Sequence, residues 1–379
     1  MGENQRHLSR KAQINMGSFY TPKKIVEEFY LDISRIENFK NYTILDTSCG
    51  YGSFLDINLP NRKIGVDIDR VAVEEAKNSC SAEVFHRNSL KNVSRESIGV
   101  AKNEKIIIVG NPPYNDTTSI IRSSIKDAVI EMDKELKSRD LGISFLLSYN
   151  KLKADYVCVL HPLSYLIKKA NFSLMKDFSR NYELISGKII SSHEFSDNSR
   201  GMAFPIVAAI YKRTDGGMSY DFIKKYRFQI KNNVDFSISD FDIISNYITK
   251  YPNKKSIKPE DKIIAKFYTM RDINALRRNR TFIDTESYNT IFVKREDFPY
   301  YCYVDVFKRY LDKIPYYLGN NDIPIDHNKF IKLKKDFVAE SINNNPVLSI
   351  SYKHLRTKES KARIEKYFKE LIGVHYATD

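Results

Sequence analysis

The chain has 379 residues, of which 42% are hydrophobic, so it is long enough for one large domain or two ordinary domains with buried cores. Its 61 basic and 47 acidic residues give a net charge of +14, which favours nucleic acid as a partner, with an anionic membrane surface as the second choice. No apolar run reaches the roughly 18–20 residues of a membrane span. The four cysteines form no CxxC pair, which argues against a disulfide framework and a structural zinc site and fits a reducing cytoplasm.

The first half of the sequence alternates short apolar runs with helical patterns. Residues 70–78 and 140–152 have helical spacing, and residues 184–190 and 203–211 would complete a sheet. Five predicted strands come before residues 184–190, at residues 43–46, 63–67, 82–86, 105–109 and 156–160. This alternation predicts an α/β fold with a mostly parallel sheet and helices on both faces.

The pattern changes after a glycine-rich break at residues 214–217. Aromatic and basic residues then interleave, the strands are shorter, and the βαβ rhythm ends. Residues 364–372 have helical spacing, with Gly373 as a stop. We therefore predict two domains, residues 1–214 and 215–379, the second being a smaller α+β domain.

A glycine-rich turn follows the first predicted strand. Gly50 and Gly52 would let the backbone pass close to a ligand. Asp67 ends the second strand, and a carboxylate there can accept both ribose hydroxyls of an adenosine. The loop reads GxGxF and not GxGxxG, which indicates an adenosine-containing ligand without a pyrophosphate.

The fourth strand leads into Asn-Pro-Pro-Tyr, residues 111–114. The two prolines make this turn rigid and leave its carbonyls free to accept hydrogen bonds. An exocyclic amine on an aromatic ring is a poor nucleophile, because its lone pair is delocalised into the ring. If the Asn111 side-chain oxygen and the Pro112 carbonyl accept its two N–H bonds, the lone pair can attack a sulfonium methyl. Tyr114 can stack on the base that carries the amine. The turn predicts methylation of an amino group.

The order of these motifs resembles the gamma-type adenine-N6 methyltransferases of restriction-modification systems. The resemblance covers about residues 15–213, and the remainder matches only by position, as a target-recognition domain. Four stretches carry it: residues 17–22 (Gly-Ser-Phe-Tyr-Thr-Pro), 46–52 (Asp-Thr-Ser-Cys-Gly-Tyr-Gly), 65–69 (Gly-Val-Asp-Ile-Asp) and 111–114.

The resemblance implies a Rossmann-like class I methyltransferase fold and S-adenosylmethionine as the cofactor, with no metal. Asn111 is implied both in catalysis, with Pro112 and Tyr114, and in cofactor binding. Asn88 stands where the family usually has the Asp that reads the cofactor adenine, and Tyr51 stands where it has a small residue. The remaining cofactor residues that the resemblance implies are Tyr20, Thr21, Asp46, Cys49, Gly50, Gly52 and Asp67.

The resemblance also implies double-stranded DNA as the substrate, with the target adenine extruded from the helix. Pro113 and Phe195 would contact the extruded base, and the crowded basic residues Arg277, Arg278 and Arg280 would contact DNA. Residues 115–139 would form a loop over the DNA. Any restriction endonuclease partner would be a separate chain, and the location would be a bacterial cytoplasm, at the nucleoid, without a membrane.

Alternative functions remain open at this point. RNA guanine-N2 and protein glutamine methyltransferases also use such a turn, although they usually place the substrate domain first. N4-cytosine methyltransferases more often have Ser in place of Asn111. A decayed DNA-binding subunit would account for Tyr51 and Asn88 but not for the intact turn at residues 111–114.

Overall fold

The chain divides into two compact units, with the division between Ser237 and Ile238. The computed structural model describes residues 21–114, 131–195, 203–230, 234–351 and 359–376. In these residues, no helix is both long enough and apolar enough to cross a membrane.

A nine-stranded sheet forms the centre of the first unit, counted over the described residues, in the order β3-β2-β1-β4-β5-β7-β6-β8-β9. Neighbours are parallel from β3 to β5, whereas β7 is antiparallel to both β5 and β6. The carboxyl ends of β1 to β6 therefore lie along one edge. The strands are β1 (Thr43–Asp46), β2 (Lys63–Asp67), β3 (Glu83–His86), β4 (Ile106–Gly110), β5 (Tyr156–Pro162), β6 (Tyr182–Ser191), β7 (Pro205–Arg213), β8 (Phe228–Gln229) and β9 (Asp235–Phe236).

Apolar side chains on both faces of this sheet are buried. Ile107 and Val109 of β4 belong to a core that also contains residues of the first two helices, whereas Ile106 and Ile108 are equally buried on the other face. In the described residues of this unit, the helices are α1 (Lys23–Ile33), α2 (Arg70–Ser79), α3 (Leu141–Lys151), α4 (Ser164–Ile167), α5 (Lys169–Leu174), α6 (Lys176–Ser179) and α7 (Tyr220–Lys225). The predicted α/β fold with a mostly parallel sheet is confirmed.

Acidic capping residues set the start of α2 and α3. Asp69 accepts hydrogen bonds from the N–H groups of Val71 and Ala72 at the start of α2. Asp140 accepts one from the Gly142 N–H at the start of α3, at 3.0 Å. An acidic side chain at this position satisfies N–H groups that have no partner inside the helix, and it fixes where each helix leaves the sheet edge.

The first unit extends beyond the predicted boundary at residue 214. Helix α7 follows that break, and β8 then pairs with β6 through Lys188 and Gln229. Strand β9 pairs in turn with β8, and the first unit ends at Ser237. Strands of two residues are too short to produce an alternating apolar pattern, which is why the sequence placed the boundary too early.

The second unit is built from helices and two small antiparallel sheets within its described residues. Its strands pair as β10 with β13 and as β11 with β12. Aromatic side chains, including Tyr303, Phe330 and Phe368, pack together in its core. Its elements are β10 (Asp242–Ile243), β11 (Ile263–Tyr268), α8 (Ile273–Arg278), β12 (Thr290–Lys294), α9 (Phe298–Phe307), β13 (Pro324–Ile325), α10 (His327–Asn344), α11 (Pro346–Ser351) and α12 (Ser360–Ile372).

Candidate active site

Three predicted motifs meet at the carboxyl edge of the first sheet. Asp46 ends β1, Asp67 ends β2, and Gly110 ends β4 directly before Asn111. Because these strands are parallel neighbours, their last residues lie side by side. The edge therefore carries two carboxyl groups and the turn at residues 111–114.

The glycine-rich turn is tied to Asp67 by a hydrogen bond. Gly50 has a φ of +51°, and its N–H donates to Asp67 Oδ2 at 2.8 Å. The Asp69 N–H donates to Asp67 Oδ1 at 2.8 Å. Burial raises the pKa of Asp67, and these two N–H groups act in the opposite direction. The Ile68 N–H also donates to this carboxylate, so one of the four acceptor sites on its two oxygens remains for a hydroxyl donor.

Two other predicted cofactor residues face the protein core. A Cβ at Gly52 would lie 2.9 Å from Cys80 Sγ and 3.5 Å from Ala76 Cβ, so this glycine makes room for α2 and the residue after it. The Cys49 side chain is buried, and its Sγ would lie 3.1 Å from a Cβ at Gly65. Burial strongly raises the pKa of the Cys49 thiol, so it stays protonated. The structure thus gives both side-chain positions a packing role.

Asp46 is a buried carboxyl group beside the Asn111 turn. It is 2% exposed and accepts a hydrogen bond from the Ser48 N–H at 3.0 Å. Burial raises its pKa to about 8, although the Ser48 bond acts against that change, and the nearby charge of Asp67 raises it further. No ion pair to Asp46 is present within the described part of the chain.

Gly110 is a residue of this site to which the sequence analysis assigned no role. Its φ is +142°, and a Cβ at this position would lie 2.8 Å from Asp46 Oδ1. The absence of a side chain lets the backbone that enters the Asn111 turn pass next to the Asp46 carboxyl group. The sequence feature that could have indicated this close approach is the glycine directly before the turn at residues 111–114.

Asn111 links the turn to the first residue that the structure describes. Its Nδ2 donates to the buried Thr21 Oγ1 at 3.1 Å, across 90 positions of sequence. A hydrogen bond also joins the side chains of Asn111 and Tyr114, and burial strongly raises the pKa of Tyr114. Pro112 is buried and Pro113 is half-buried. These contacts bring the predicted Thr21 and the predicted turn together and fix the plane of the Asn111 amide.

Asn88 lies at a cavity of about 240 Å³ between β3 and the next segment. Its Nδ2 donates to the Glu131 carbonyl at 2.7 Å, and its Oδ1 accepts from the Leu90 N–H at 2.9 Å. The cavity also contacts Thr47 and Leu152, and it is smaller than the roughly 300–1,000 Å³ of a complete small-molecule site. It has room for part of a ligand beside the glycine-rich turn.

Phe195 is located near the same sheet edge, just after β6. It is half-buried and packs against the core cluster that Tyr114 also contacts. This position is compatible both with core packing and with the predicted contact to a base. Tyr20 and residues 115–130 of the predicted loop lie outside the described residues.

The predicted basic cluster at residues 277–280 contains one half-buried arginine and two exposed arginines. Arg277 is half-buried, and its Nη2 donates to the carbonyls of Leu311 and, at 3.1 Å, of Ile314. Burial lowers its pKa. Arg278 and Arg280 are exposed. The DNA contact of Arg277 stays a prediction, and its guanidinium already binds two backbone carbonyls of its own unit.

The strand order and directions decide the fold of this unit. Five parallel strands in the order β3-β2-β1-β4-β5 are followed by the antiparallel β7 and then by β6. The first unit has the class I methyltransferase fold. The resemblance inferred from the four motifs agrees with this topology and with the position of the glycine-rich turn at its carboxyl edge.

A relative with known function is found by sequence comparison. The modification methylase CviBIII of Paramecium bursaria Chlorella virus NC1A is 24% identical over 203 residues, which are 52% of this chain and 50% of the relative. The chain thus spans half the length of the curated relative that it matches. The predicted resemblance to modification methyltransferases is confirmed by this match, whereas no family model matches the sequence.

Solved structures of related topology are also found, at low similarity. A protein from Listeria monocytogenes described as a class I S-adenosylmethionine-dependent methyltransferase is 16% identical, with a TM-score of 0.39 over 56% of this chain and 65% of that chain. A modification subunit of a type I restriction enzyme from Vibrio vulnificus is 13% identical, with a TM-score of 0.41 over 61% of this chain and 52% of that chain. At these TM-scores, the fold assignment depends on the strand topology alone.

Proposed function

We propose that this chain is an S-adenosylmethionine-dependent methyltransferase that acts on the N6 amino group of adenine in double-stranded DNA. The observation that carries the proposal is the position of Asn111. It follows β4 at the carboxyl edge, is bonded to Thr21 and Tyr114, and stands beside the buried Asp46. The sequence similarity to a modification methylase supports the same reaction class.

The side chains at this edge fit the cofactor. Asp67 is fixed at the end of β2 and retains an acceptor site for a ribose hydroxyl. Asp46 is a buried carboxyl group without an ion-pair partner among the described residues, which suits a ligand with positive charges. Asn88 and the adjoining cavity suit the adenine. When bound, the cofactor supplies an electrophilic methyl group on a sulfonium.

The chain's own residues then prepare the adenine amine for attack. The Asn111 side-chain oxygen and the Pro112 carbonyl accept the two N–H bonds of the amine, which directs its lone pair out of the ring system. The Thr21 bond holds the Asn111 amide in the required plane. Tyr114 provides an aromatic surface for the extruded base, and base stacking is worth about 1–3 kcal/mol. Positioning and dipole stabilisation account for the rate, without a strong base.

DNA is the favoured substrate on grounds of charge and sequence similarity. The net charge of +14 attracts a polyanion, and Arg278 and Arg280 present exposed positive charges on the second unit. Extrusion of a base from a duplex costs a few kcal/mol, which phosphate contacts and stacking offset. A separate restriction endonuclease and a bacterial cytoplasm at the nucleoid belong to the same proposal.

Sequencing of modified bases in DNA tests this proposal directly. DNA from cells that express the chain is compared with DNA from cells that express Asn111→Ala at the same level. We expect N6-methyladenine in one sequence context, and only with the unaltered chain. If the DNA contains N4-methylcytosine instead, the target base is cytosine and not adenine. If RNA or protein is methylated and DNA is not, the proposed substrate is wrong. Absence of S-adenosylmethionine binding by calorimetry would indicate a decayed module.

A further inference from the structure

The second residue of helix α3, Gly142, lies between two tyrosines. A Cβ at Gly142 would stand 2.5 Å from the Tyr165 hydroxyl oxygen, 3.1 Å from Tyr165 Cε2 and 3.2 Å from Tyr114 Cβ. Atoms of both tyrosines therefore lie within 3.2 Å of the same point. Only a residue without a side chain fits there, because real Cβ atoms are essentially never found within 3.0 Å of another heavy atom.

One carboxylate oxygen holds this junction together. Asp140 Oδ1 accepts a hydrogen bond from the Gly142 N–H at 3.0 Å and another from the Tyr165 hydroxyl. The first bond caps α3, and the second fixes the Tyr165 hydroxyl against the start of that helix. Burial, and then the charge of Asp140, strongly raises the pKa of Tyr165, so its hydroxyl remains a donor at neutral pH.

The Tyr165 ring is also held from the side of the sheet. It stacks on the buried His161 of β5, with ring centroids 5.3 Å apart and an interplanar angle of 11°. His161 Nδ1 donates to the Pro162 carbonyl at 3.0 Å, so its Nε2 accepts the bond from the Tyr211 hydroxyl at 2.6 Å. Burial lowers the pKa of His161 to about 4, which keeps the ring neutral. The Tyr165 ring therefore has one fixed orientation.

We propose that Tyr165 and Asp140 are positioning residues for Tyr114, acting across the bare Cα of Gly142, and that they set the rate of the methyl transfer and not cofactor binding. The inference rests on the proposed function, in which Tyr114 supports the extruded adenine. The Tyr165 hydroxyl, fixed by Asp140, limits where the Tyr114 Cβ can lie. The position of that Cβ decides where the Tyr114 ring meets the base.

Three variants of the full chain test this proposal. Tyr165→Phe removes the hydroxyl alone. Gly142→Ala introduces the Cβ that the junction excludes, and combining it with Tyr165→Phe removes the 2.5 Å conflict. Tyr182→Phe is the matched control, because it deletes another buried tyrosine hydroxyl, bonded to the Ala154 carbonyl at 2.7 Å, at the opposite edge of the sheet. Thermal unfolding establishes that each variant is folded.

The kinetic result should separate kcat from KM. We expect Tyr165→Phe to lower kcat about tenfold, and Gly142→Ala to lower it about 100-fold, since a displacement of about 1 Å at a reacting group can cost that much. The double variant should recover activity relative to Gly142→Ala. KM for DNA and the Kd of S-adenosylmethionine should change less than about threefold. Tyr182→Phe should leave kcat unchanged.

A second measurement does not depend on activity. With 3-fluorotyrosine at position 114, Gly142→Ala should move the fluorine resonance, and the double variant should move it back towards that of the unaltered chain. If kcat and the resonance are no better in the double variant, or if Tyr165→Phe behaves as Tyr182→Phe does, the positioning role is wrong. If the resonance recovers but the unaltered chain does not methylate DNA, the proposed function fails while the effect of Tyr165 on the position of Tyr114 stands. If Gly142→Ala does not fold, the test is the comparison of Tyr165→Phe with Tyr182→Phe. The proposal then requires that only Tyr165→Phe lowers kcat and moves the resonance.

Discussion

Asp46 in the first unit and Asp305 in the second are both buried, but they differ in how many hydrogen bonds their carboxyl groups accept. Asp305 of the second unit is 4% exposed, and the hydrogen-bond partners that it has among the described residues come from its own unit. Its partners are the Thr281 hydroxyl, Asn345 Nδ2 at 2.7 Å, the Ser341 hydroxyl at 2.7 Å and Arg309 Nη2 at 3.1 Å. Asp46 of the first unit is 2% exposed and, among the described residues, receives one hydrogen bond, from Ser48.

This difference separates a structural carboxylate from one that is suited to a ligand. A buried charge is stable only where hydrogen bonds and an opposite charge compensate for its lost hydration. Asp305 has both, and it joins residues of α9 and α10 with the segments around them. Asp46 has neither in full, so burial favours its neutral form until a cationic ligand arrives.

The largest expected effect comes from neutralising each aspartate in turn. Asp305→Asn should lower the free energy of unfolding by about 3–5 kcal/mol, because the buried site loses the charge that pairs with Arg309 and one of its two acceptor oxygens is replaced by an NH2 group that faces donors. Asp46→Asn should not lower it and should raise it at pH 7, because the folded chain holds this carboxyl group largely neutral there whereas the unfolded chain ionises it. Urea unfolding of both variants measures this, and equal losses would break the comparison.

Asn111→Ala tests whether the turn beside Asp46 takes part in methyl transfer. We expect single-turnover methyl transfer to fall at least about 100-fold, which is the usual cost of losing one polar group that acts in a transition state. Cofactor affinity should stay within about threefold. The exposed Asn78 provides the matched control as Asn78→Ala, which should keep full activity. Loss of cofactor affinity in Asn111→Ala would show that its role is misassigned.

A dependence of stability on pH should distinguish Asp46 from its amide variant. The folded-state pKa of Asp46 is raised to about 8 from an ordinary 3.8. Its contribution to stability is therefore complete below the ordinary value and is lost as the pH rises through 8. Between pH 6 and 9, the free energy of unfolding should fall by about 2 kcal/mol more in the unaltered chain than in Asp46→Asn. Parallel curves would exclude the raised pKa.

The smallest expected effects come from two neighbouring arginines of α8, the half-buried Arg277 and the exposed Arg278. Arg277→Ala should destabilise the chain by about 1–3 kcal/mol, because the carbonyls of Leu311 and Ile314 lose their donor. Arg278→Ala should change stability by less than about 0.5 kcal/mol but reduce the salt dependence of DNA binding by about one counterion. Binding measured at several salt concentrations checks this. An unchanged slope would remove Arg278 from the DNA contacts.

The sequence predicted the elements that have strong local patterns. Strands β1 and β2 begin and end where their apolar runs predict, Asp67 ends β2, and Asn111 follows β4 as expected. Packing contacts were beyond such reasoning. Glycines at 50 and 52 look equivalent in sequence, yet one orients Asp67 while the other accommodates Cys80.

Residues that act through distant contacts were also missed. Neither Arg277 nor Tyr165 carries a sequence signal for its partners, which are backbone carbonyls in one case and Asp140 in the other. Such roles depend on which groups the fold brings near, and the spacing of residues along the chain does not record that.

The two-residue strand β8 has a practical consequence for any attempt to divide the chain. It covers part of β6, a ten-residue strand whose other side is already paired with β7. A fragment that stops at residue 214 would leave the backbone of β6 open along that side, and open strands of this length recruit other chains and aggregate. Fragments intended for expression should therefore extend to Ser237.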